Sequence, residues 1–151
     1  MIYCVILDLD NTLGVYNNNT FVVRPYATTL IKFLLNSDFK VILWSLGSAA
    51  YVTKIISEYF PILEERAFKI WAKHECHLAK EYYGCCKSSE VVRSLFSKDV
   101  VLIAIDDLVY KNMDCHYDYR ILIKPFANWN EKDSQLLQVI VKITNFLFKI
   151  K

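Results

Sequence analysis

The chain has 151 residues, 54% of them hydrophobic, which is enough for one domain with a sizeable core and too few for two ordinary ones. Its 18 Lys and Arg nearly balance 16 Asp and Glu, so no overall basic field points to direct nucleic-acid binding. The C-terminal Lys142, Lys149 and Lys151 read as a solvated helix face. The longest apolar runs, Met1–Leu7 and Val100–Ile105, are far shorter than a bilayer span, and the N-terminus lacks the basic-then-apolar layout of a signal peptide. A soluble intracellular protein is expected, in cytoplasm or nucleus, with no membrane partner and no removable leader.

Residues 5–13, Val-Ile-Leu-Asp-Leu-Asp-Asn-Thr-Leu, make an apolar β-run that closes on two aspartates. A polar loop at Asn17-Asn18-Asn19-Thr20 follows, then Arg24-Pro25, where Pro25 suits the first turn of a helix running to about Leu35. Lys40–Trp44 reads as a second short strand, ending at Ser45-Leu46-Gly47-Ser48, and a helix is expected over about Ala49–Tyr59. Residues 61–86 mix aromatic and basic side chains without a clear period and read as a short strand plus loops. A helix over about Ser88–Phe96 leads into the wholly apolar strand Val100–Ile105, which stops at Asp106-Asp107. Arg120–Ile123 reads as a final strand, and Leu136, Leu137, Ile140, Val141, Thr144, Leu147 and Phe148 place an apolar stripe on a closing helix begun near Asn130–Asp133.

Strand and helix alternate throughout, with strands rich in Val, Ile and Leu. That order predicts an α/β sandwich spanning residues 1–151 as a single domain, with a central, mainly parallel sheet and helices on both faces. In such folds ligands bind beyond the carboxyl ends of the strands. Five cysteines (Cys4, Cys76, Cys85, Cys86, Cys115) are an odd number at irregular spacing and read as reduced thiols. His74, Cys76, His77, Cys85 and Cys86 invite a zinc reading, but adjacent Cys85-Cys86 does not fit the spacing of paired zinc ligands.

Three strands in this reading end in reactive polar residues: Asp8 and Asp10, then Ser45, then Asp106 and Asp107. If the first strand continued unbroken, Asp8 and Asp10 would point the same way. Converging carboxylates repel, and they persist most readily where a divalent cation such as Mg²⁺ neutralises them. The plainer reading makes Asp8 and Asp10 polar residues that merely close a buried strand. A serine hydroxyl beside helix-start amides can hold an anion, and acidic groups around a cation supply the positioning and charge neutralisation of phosphoryl transfer. The missing element is a cation facing the phosphoryl oxygens, and Lys87 is chosen for it ahead of Lys80 and Lys73.

Asp8-Leu9-Asp10-Asn11-Thr12-Leu13 resembles the DxDx[T/V] signature of the haloacid-dehalogenase-like phosphatases, and Ser45, Lys87 and Asp106-Asp107 follow that superfamily's motif order. The segments Trp44–Val52 and Pro125-Phe126-Ala127-Asn128-Trp129 resemble its FCP/SCP branch, the NLI-interacting-factor-like phosphatases of the RNA polymerase II C-terminal domain. Small stand-alone forms of this kind are similar to those of large DNA viruses, notably iridoviruses. The resemblance covers nearly the whole chain and implies a Rossmann-like sandwich with a minimal cap. It implies a phosphoprotein phosphatase in which Asp8 is the nucleophile and Asp10 the general acid, then base. Mg²⁺ would be held by Asp8, the Asp10 carbonyl and Asp106, with Asp107 ligating through water or orienting the shell. Thr12 would brace the nucleophile loop, and Ser45, Leu46 and Gly47 would meet the phosphate. The substrate implied is a phosphorylated protein or peptide, such as the polymerase tail; a homo-oligomer is not indicated. The branch often carries Thr where Ser45 stands and a hydroxyl residue where Gly47 stands, which alters the grip on phosphate.

Two readings of other classes compete. A receiver domain also gathers strand-end aspartates, a hydroxyl residue and a lysine, but it places its acidic pair first, whereas here the second acidic group follows Ser45 and Lys87. A catalytically weak scaffold on the same fold is the other, and intact Asp8 and Asp10 weigh against it. A small-molecule phosphatase of this superfamily would usually carry a large cap, for which no segment is long enough.

Overall fold

Strand β1 (Ile2–Leu7) is apolar on both faces, and it takes the position where both are covered. In the computed structural model, which describes residues 1–150, it is the centre of a five-stranded sheet. Lys151, read above as part of a C-terminal lysine cluster, lies outside the described residues. The hairpin strands β2 (Gly14–Asn17) and β3 (Thr20–Val23) form a separate pair. The main sheet runs β5-β4-β1-β6-β7, with β4 at Lys40–Trp44, β5 at Lys69–Trp71, β6 at Val100–Asp106 and β7 at Tyr119–Leu122. Every neighbouring pair in it is parallel.

The two-residue alternation of a strand sorts the core into two layers. Val5, Leu7, Val41, Leu43, Ile103 and Ile105 face one side, where α1 (Ala27–Asn36), α2 (Ala49–Tyr59) and α7 (Gln135–Ile150) pack. Cys4, Ile6, Ile42, Trp44, Leu102 and Ala104 face the other, against α4 (Lys73–Tyr83), α5 (Ser89–Arg93) and α6 (Val109–Asn112). Each fully buried aliphatic side chain contributes about 1.5–3 kcal/mol, so the sheet is held from both faces. The remaining helix, α3 (Pro61–Arg66), buries Leu63 at the edge of the first layer. Among the described residues no helix is long and apolar enough to cross a membrane.

Several local elements differ from the sequence expectation. The polar stretch Asn17–Thr20 is the tip of a hairpin: Asn18 and Asn19 both have positive φ (50° and 62°), the geometry of a two-residue turn that matches strand twist. The first helix starts at Ala27 rather than Pro25, because Tyr26 takes a left-handed conformation at its N-cap. Residues 61–86 hold two helices besides β5. Pro61 opens α3, the Glu75 carboxylate accepts the Ala72 N–H at 2.9 Å before α4, and Gly84, at φ 74°, ends α4. The expected helix over Ser88–Phe96 is regular only to Arg93 and then tightens, with the Leu95 and Phe96 amides reaching carbonyls three residues back. On α7 the buried face is Leu136, Val139 and Ile143, while Leu137, Val141 and Phe148 are exposed, so the inward stripe is rotated from the predicted one.

Candidate active site

The chain leaves β1 toward β4 on one side, and β6 is later added on the other. This order creates a crevice at the carboxyl ends of β1 and β6, the place where open α/β sheets bind ligands. Asp8 follows β1 directly and its amide still donates to the Ile105 carbonyl of β6 (3.1 Å), while Asp106 is the last residue of β6. The two carboxylates are therefore fixed by the sheet itself.

The strand does not continue to Asp10. After Leu7 the backbone curls: the Leu13 amide donates to the Leu9 carbonyl (2.8 Å) and Asn11 adopts φ 64°. The period-two expectation that Asp8 and Asp10 share a strand face is corrected accordingly. Asp8 is buried beneath the turn, whereas the half-buried Asp10 is held from α2, where the Tyr51 hydroxyl donates to its Oδ1 at 2.6 Å. Thr12, fully buried, donates its hydroxyl to Asp8 Oδ2 at 2.8 Å.

Lys87, just before α5, is fully buried and its Nζ donates to Asp8 Oδ1 (2.9 Å) and Asp106 Oδ2 (2.6 Å). Lys80 and Lys73, the other lysines considered for this place, are exposed on α4. Burial works against the Lys87 charge, but the carboxylates of Asp8 and Asp106 outweigh it and hold the ammonium protonated. Burial also pushes the Asp8 pKa well above the carboxylate range; Lys87 pulls it back and Asp106 pushes it further up. Asp107 is raised as well, mainly by burial.

Asp8, Asp106 and Asp107 bring one carboxylate oxygen each within 4.8 Å of one another. One ammonium among three buried carboxylates leaves negative charge uncompensated, and an all-oxygen donor set suits a hard divalent cation. The residues present thus fit Mg²⁺. They border a cavity of about 110 Å³, together with Asp10, Asn11, Leu46, Leu108 and Asn112.

Ser45 is buried at the end of β4, and its Oγ accepts the Gly47 N–H at 3.0 Å, which leaves the hydroxyl hydrogen free to donate. Leu46 is exposed at the cavity mouth. Gly47 is packed so closely that a Cβ there would lie 2.8 Å from Tyr51 Cδ1.

Sequence reasoning missed three supports. Asn112, buried, donates through Nδ2 to Asp106 Oδ2 (3.3 Å), and its carbonyl accepts the Lys87 amide (3.0 Å). Arg24, 1% exposed, donates to the Asn11, Thr12 and Lys124 carbonyls and pairs with Asp133. Tyr51 is the third. The Arg24-Pro25 pair marked a helix start but gave no hint of a buried guanidinium, whose partner Asp133 is 109 residues away.

The chain matches the family model of NLI interacting factor-like phosphatases over residues 3–150. It belongs to that family. Among solved structures, it is similar to Fcp1, described as an essential RNA polymerase II CTD phosphatase, at TM-score 0.50 and 15% identity, covering 98% of this chain and 50% of that one. It is also similar to fission yeast Fcp1 in an Arg-to-Ala variant bound to beryllium fluoride, at TM-score 0.52 and 13% identity, covering 98% and 56% respectively. The NIF-like chain thus spans about half the length of these Fcp1 structures and shares their fold. No curated protein sequence matches it. The phosphatase-family fold expected from the motifs, a parallel α/β sandwich, is the one found.

Proposed function

We propose that this NIF-like protein is a Mg²⁺-dependent phosphoester hydrolase that works through an aspartyl-phosphate on Asp8. The observation that carries the reading is Lys87 clamped between Asp8 and Asp106 at the crevice of the sheet, with Asp107 beside them. Asp8, Asp106 and Asp107 would hold the cation, which neutralises phosphoryl charge when bound.

Asp8 is prepared as a nucleophile by immobilisation. Each of its oxygens accepts one hydrogen bond, from Lys87 and from Thr12, so the carboxylate is aimed while a lone pair stays free on each oxygen. An Asp8 oxygen bonds to phosphorus as the bond from phosphorus to the leaving oxygen breaks, and Asp10 gives that oxygen a proton. Asp10 then takes a proton from water as the water oxygen attacks phosphorus and the Asp8 carboxylate leaves. Lys87 spends two of its three N–H groups on carboxylates and keeps one for a phosphoryl oxygen. The Ser45 hydroxyl, with Leu46 and Gly47 beside it, would receive the phosphate from the β4 side.

A phosphorylated serine in a protein or peptide, of the polymerase-tail type, is the substrate class proposed. The family match and the name of the similar Fcp1 structures support it, as does the small site flanked by exposed Leu46 and Leu108. Turnover of an aryl phosphate and of phosphoserine peptides, measured with Mg²⁺ and with EDTA, tests the proposal. Activity should require Mg²⁺ and vanish in Asp8→Asn, whose amide cannot carry a phosphoryl group. Full turnover in chelator, full turnover by Asp8→Asn, or an inactive wild type would each overturn it.

A further inference from the structure

Asp10 lies beyond the end of β1, outside the hydrogen-bond ladder that fixes Asp8, so its carboxylate depends on a support from elsewhere. That support comes from the first turn of α2. The Ser48 hydroxyl caps this helix by accepting the Tyr51 amide at 3.2 Å, which places the Tyr51 ring over the loop before the helix. Two neighbours then confine the ring. Gly47 meets it with no side chain, and a single added carbon would stand 2.8 Å from Cδ1. On the hairpin strand β2, the Tyr16 ring packs edge-on against it, with centroids 6.0 Å apart and an interplanar angle of 86°. Held this way, the phenol reaches Asp10 Oδ1 at 2.6 Å, a short bond of the kind formed between a hydroxyl and a carboxylate.

We propose that Tyr51 is the positioning residue for Asp10, and that Gly47 is a glycine because the Tyr51 ring occupies the space a side chain would need. The inference rests on the phosphatase reading above and deepens it. Burial and the neighbouring Asp10 keep the Tyr51 phenol protonated, so it acts as a fixed donor and takes no part in proton transfer. With Oδ1 oriented by Tyr51 and Oδ2 left without a partner, Oδ2 is the oxygen that carries the proton: from Oδ2 to the leaving oxygen in the first half-reaction, and from water to Oδ2 in the second. Among the described residues Oδ2 has no hydrogen-bond partner, and Asp10 lines the cavity beside Asp8. The departure at Gly47 from the hydroxyl residue common in this branch therefore has a structural counterpart in the confined ring of Tyr51.

The test compares kcat/KM, which reports the transfer to Asp8, for a phosphoserine peptide with a poor leaving group and for dinitrophenyl phosphate with a good one. Tyr51→Phe keeps the ring and removes only the donor. It should lower kcat/KM about tenfold on the phosphoserine peptide, the worth of one hydrogen bond to a charged group. On dinitrophenyl phosphate, whose departure needs little protonation, the loss should stay within about twofold. In an Asp10→Asn background the same change should add less than about twofold on either substrate, because its effect runs through Asp10. Gly47→Ala, whose added carbon would stand 2.8 Å from Tyr51 Cδ1 and 3.2 Å from Ser45 Oγ, should lower turnover of both substrates through Ser45 and lower it further on the phosphoserine peptide through the displaced ring. Equal loss on both substrates, the same loss in the Asp10→Asn background, or an unchanged Tyr51→Phe enzyme would overturn the inference while leaving the phosphatase reading intact. A fully active Gly47→Ala would overturn the role given to Gly47. A wild type inactive on both substrates would bring down the phosphatase reading and this inference with it.

Discussion

Replacing Arg24 by methionine should destabilise the protein by about 3–5 kcal/mol, the usual cost of removing one partner from a buried ion pair. The structure places the value toward the lower end of that range. The Asn11 carbonyl keeps its bond from the Phe126 amide (2.8 Å), and Asp133, 12% exposed at its side chain, can regain water. The Thr12 and Lys124 carbonyls lose their Arg24 donors, and the contact of the guanidinium over the Phe126 ring, 5.3 Å from its centroid, is lost too. In a chain of this size a loss near 3 kcal/mol lowers the melting temperature by roughly 6–12 °C. Asp133→Asn should cost only about 1 kcal/mol, since the amide oxygen can still accept and the site borders solvent. Arg24→Lys should recover less than half of the loss, because a point-charge ammonium cannot span acceptors set out for a planar fork. Urea denaturation of the four proteins at fixed ionic strength measures this ranking, with unchanged slopes confirming a common unfolded state. An Arg24→Met variant within about 1 kcal/mol of wild type, or one more stable than Asp133→Asn, would refute the reasoning.

Lys87→Ala should abolish turnover and cost about 3–5 kcal/mol, as it leaves Asp8 and Asp106 facing each other without their cation, and Lys87→Arg should restore little of either. Lys80→Ala and Lys73→Ala, on the exposed side of α4, should be mild in both turnover and urea denaturation; the reverse ranking would move the phosphate-facing cation away from Lys87. Magnesium should raise the melting temperature more at about pH 8 than at about pH 5.5, and Asp106→Ala should remove most of that gain. The sign follows from Asp8, whose pKa is raised from 3.8 by burial. The folded metal-free protein holds this proton where the unfolded chain has lost it, so stability is full at low pH and declines as pH rises toward the raised value. The cation needs the deprotonated carboxylate and offsets that decline; a pH-independent shift in melting temperature would contradict it.

What could be read from the sequence, and what could not, follows the range of the interactions involved. β1, β4 and β6 announce themselves as apolar runs, and the polar residues that end them fall at the crevice because parallel strands share a direction. Helix α4 gave no such signal, since only Cys76 and Ala79 of its residues are buried and the rest, half-buried Glu75 apart, is an exposed mixture of aromatic, charged and aliphatic groups. The hairpin was legible in principle from Asn18-Asn19, two residues that accept positive φ, set between runs that can pair. The inward face of α7 turned out to depend on which residues α1 and the sheet offer it, information that periodicity alone does not contain. Arg24 and Tyr51 lay beyond reach for the same reason: their roles are defined by Asp133 and Asp10, 109 and 41 residues away in the chain.

The Lys87 clamp also bears on when during folding the site can come into being. Its ammonium joins Asp8, 79 residues earlier, to Asp106, 19 residues later, across the boundary between β1 and β6. Strands β1 and β4 with helix α1 form a local unit whose pairing closes a short loop, whereas docking β6 against β1 must close a much longer one. A chain emerging from the ribosome can therefore pair β1 with β4 well before β6 delivers Asp106 and the Ile105 carbonyl that fixes the Asp8 amide. In that interval the nascent chain carries Asp8 without the strand that fixes it, the clamp or the full acidic cluster, so closing the sheet and gaining chemical competence are one event.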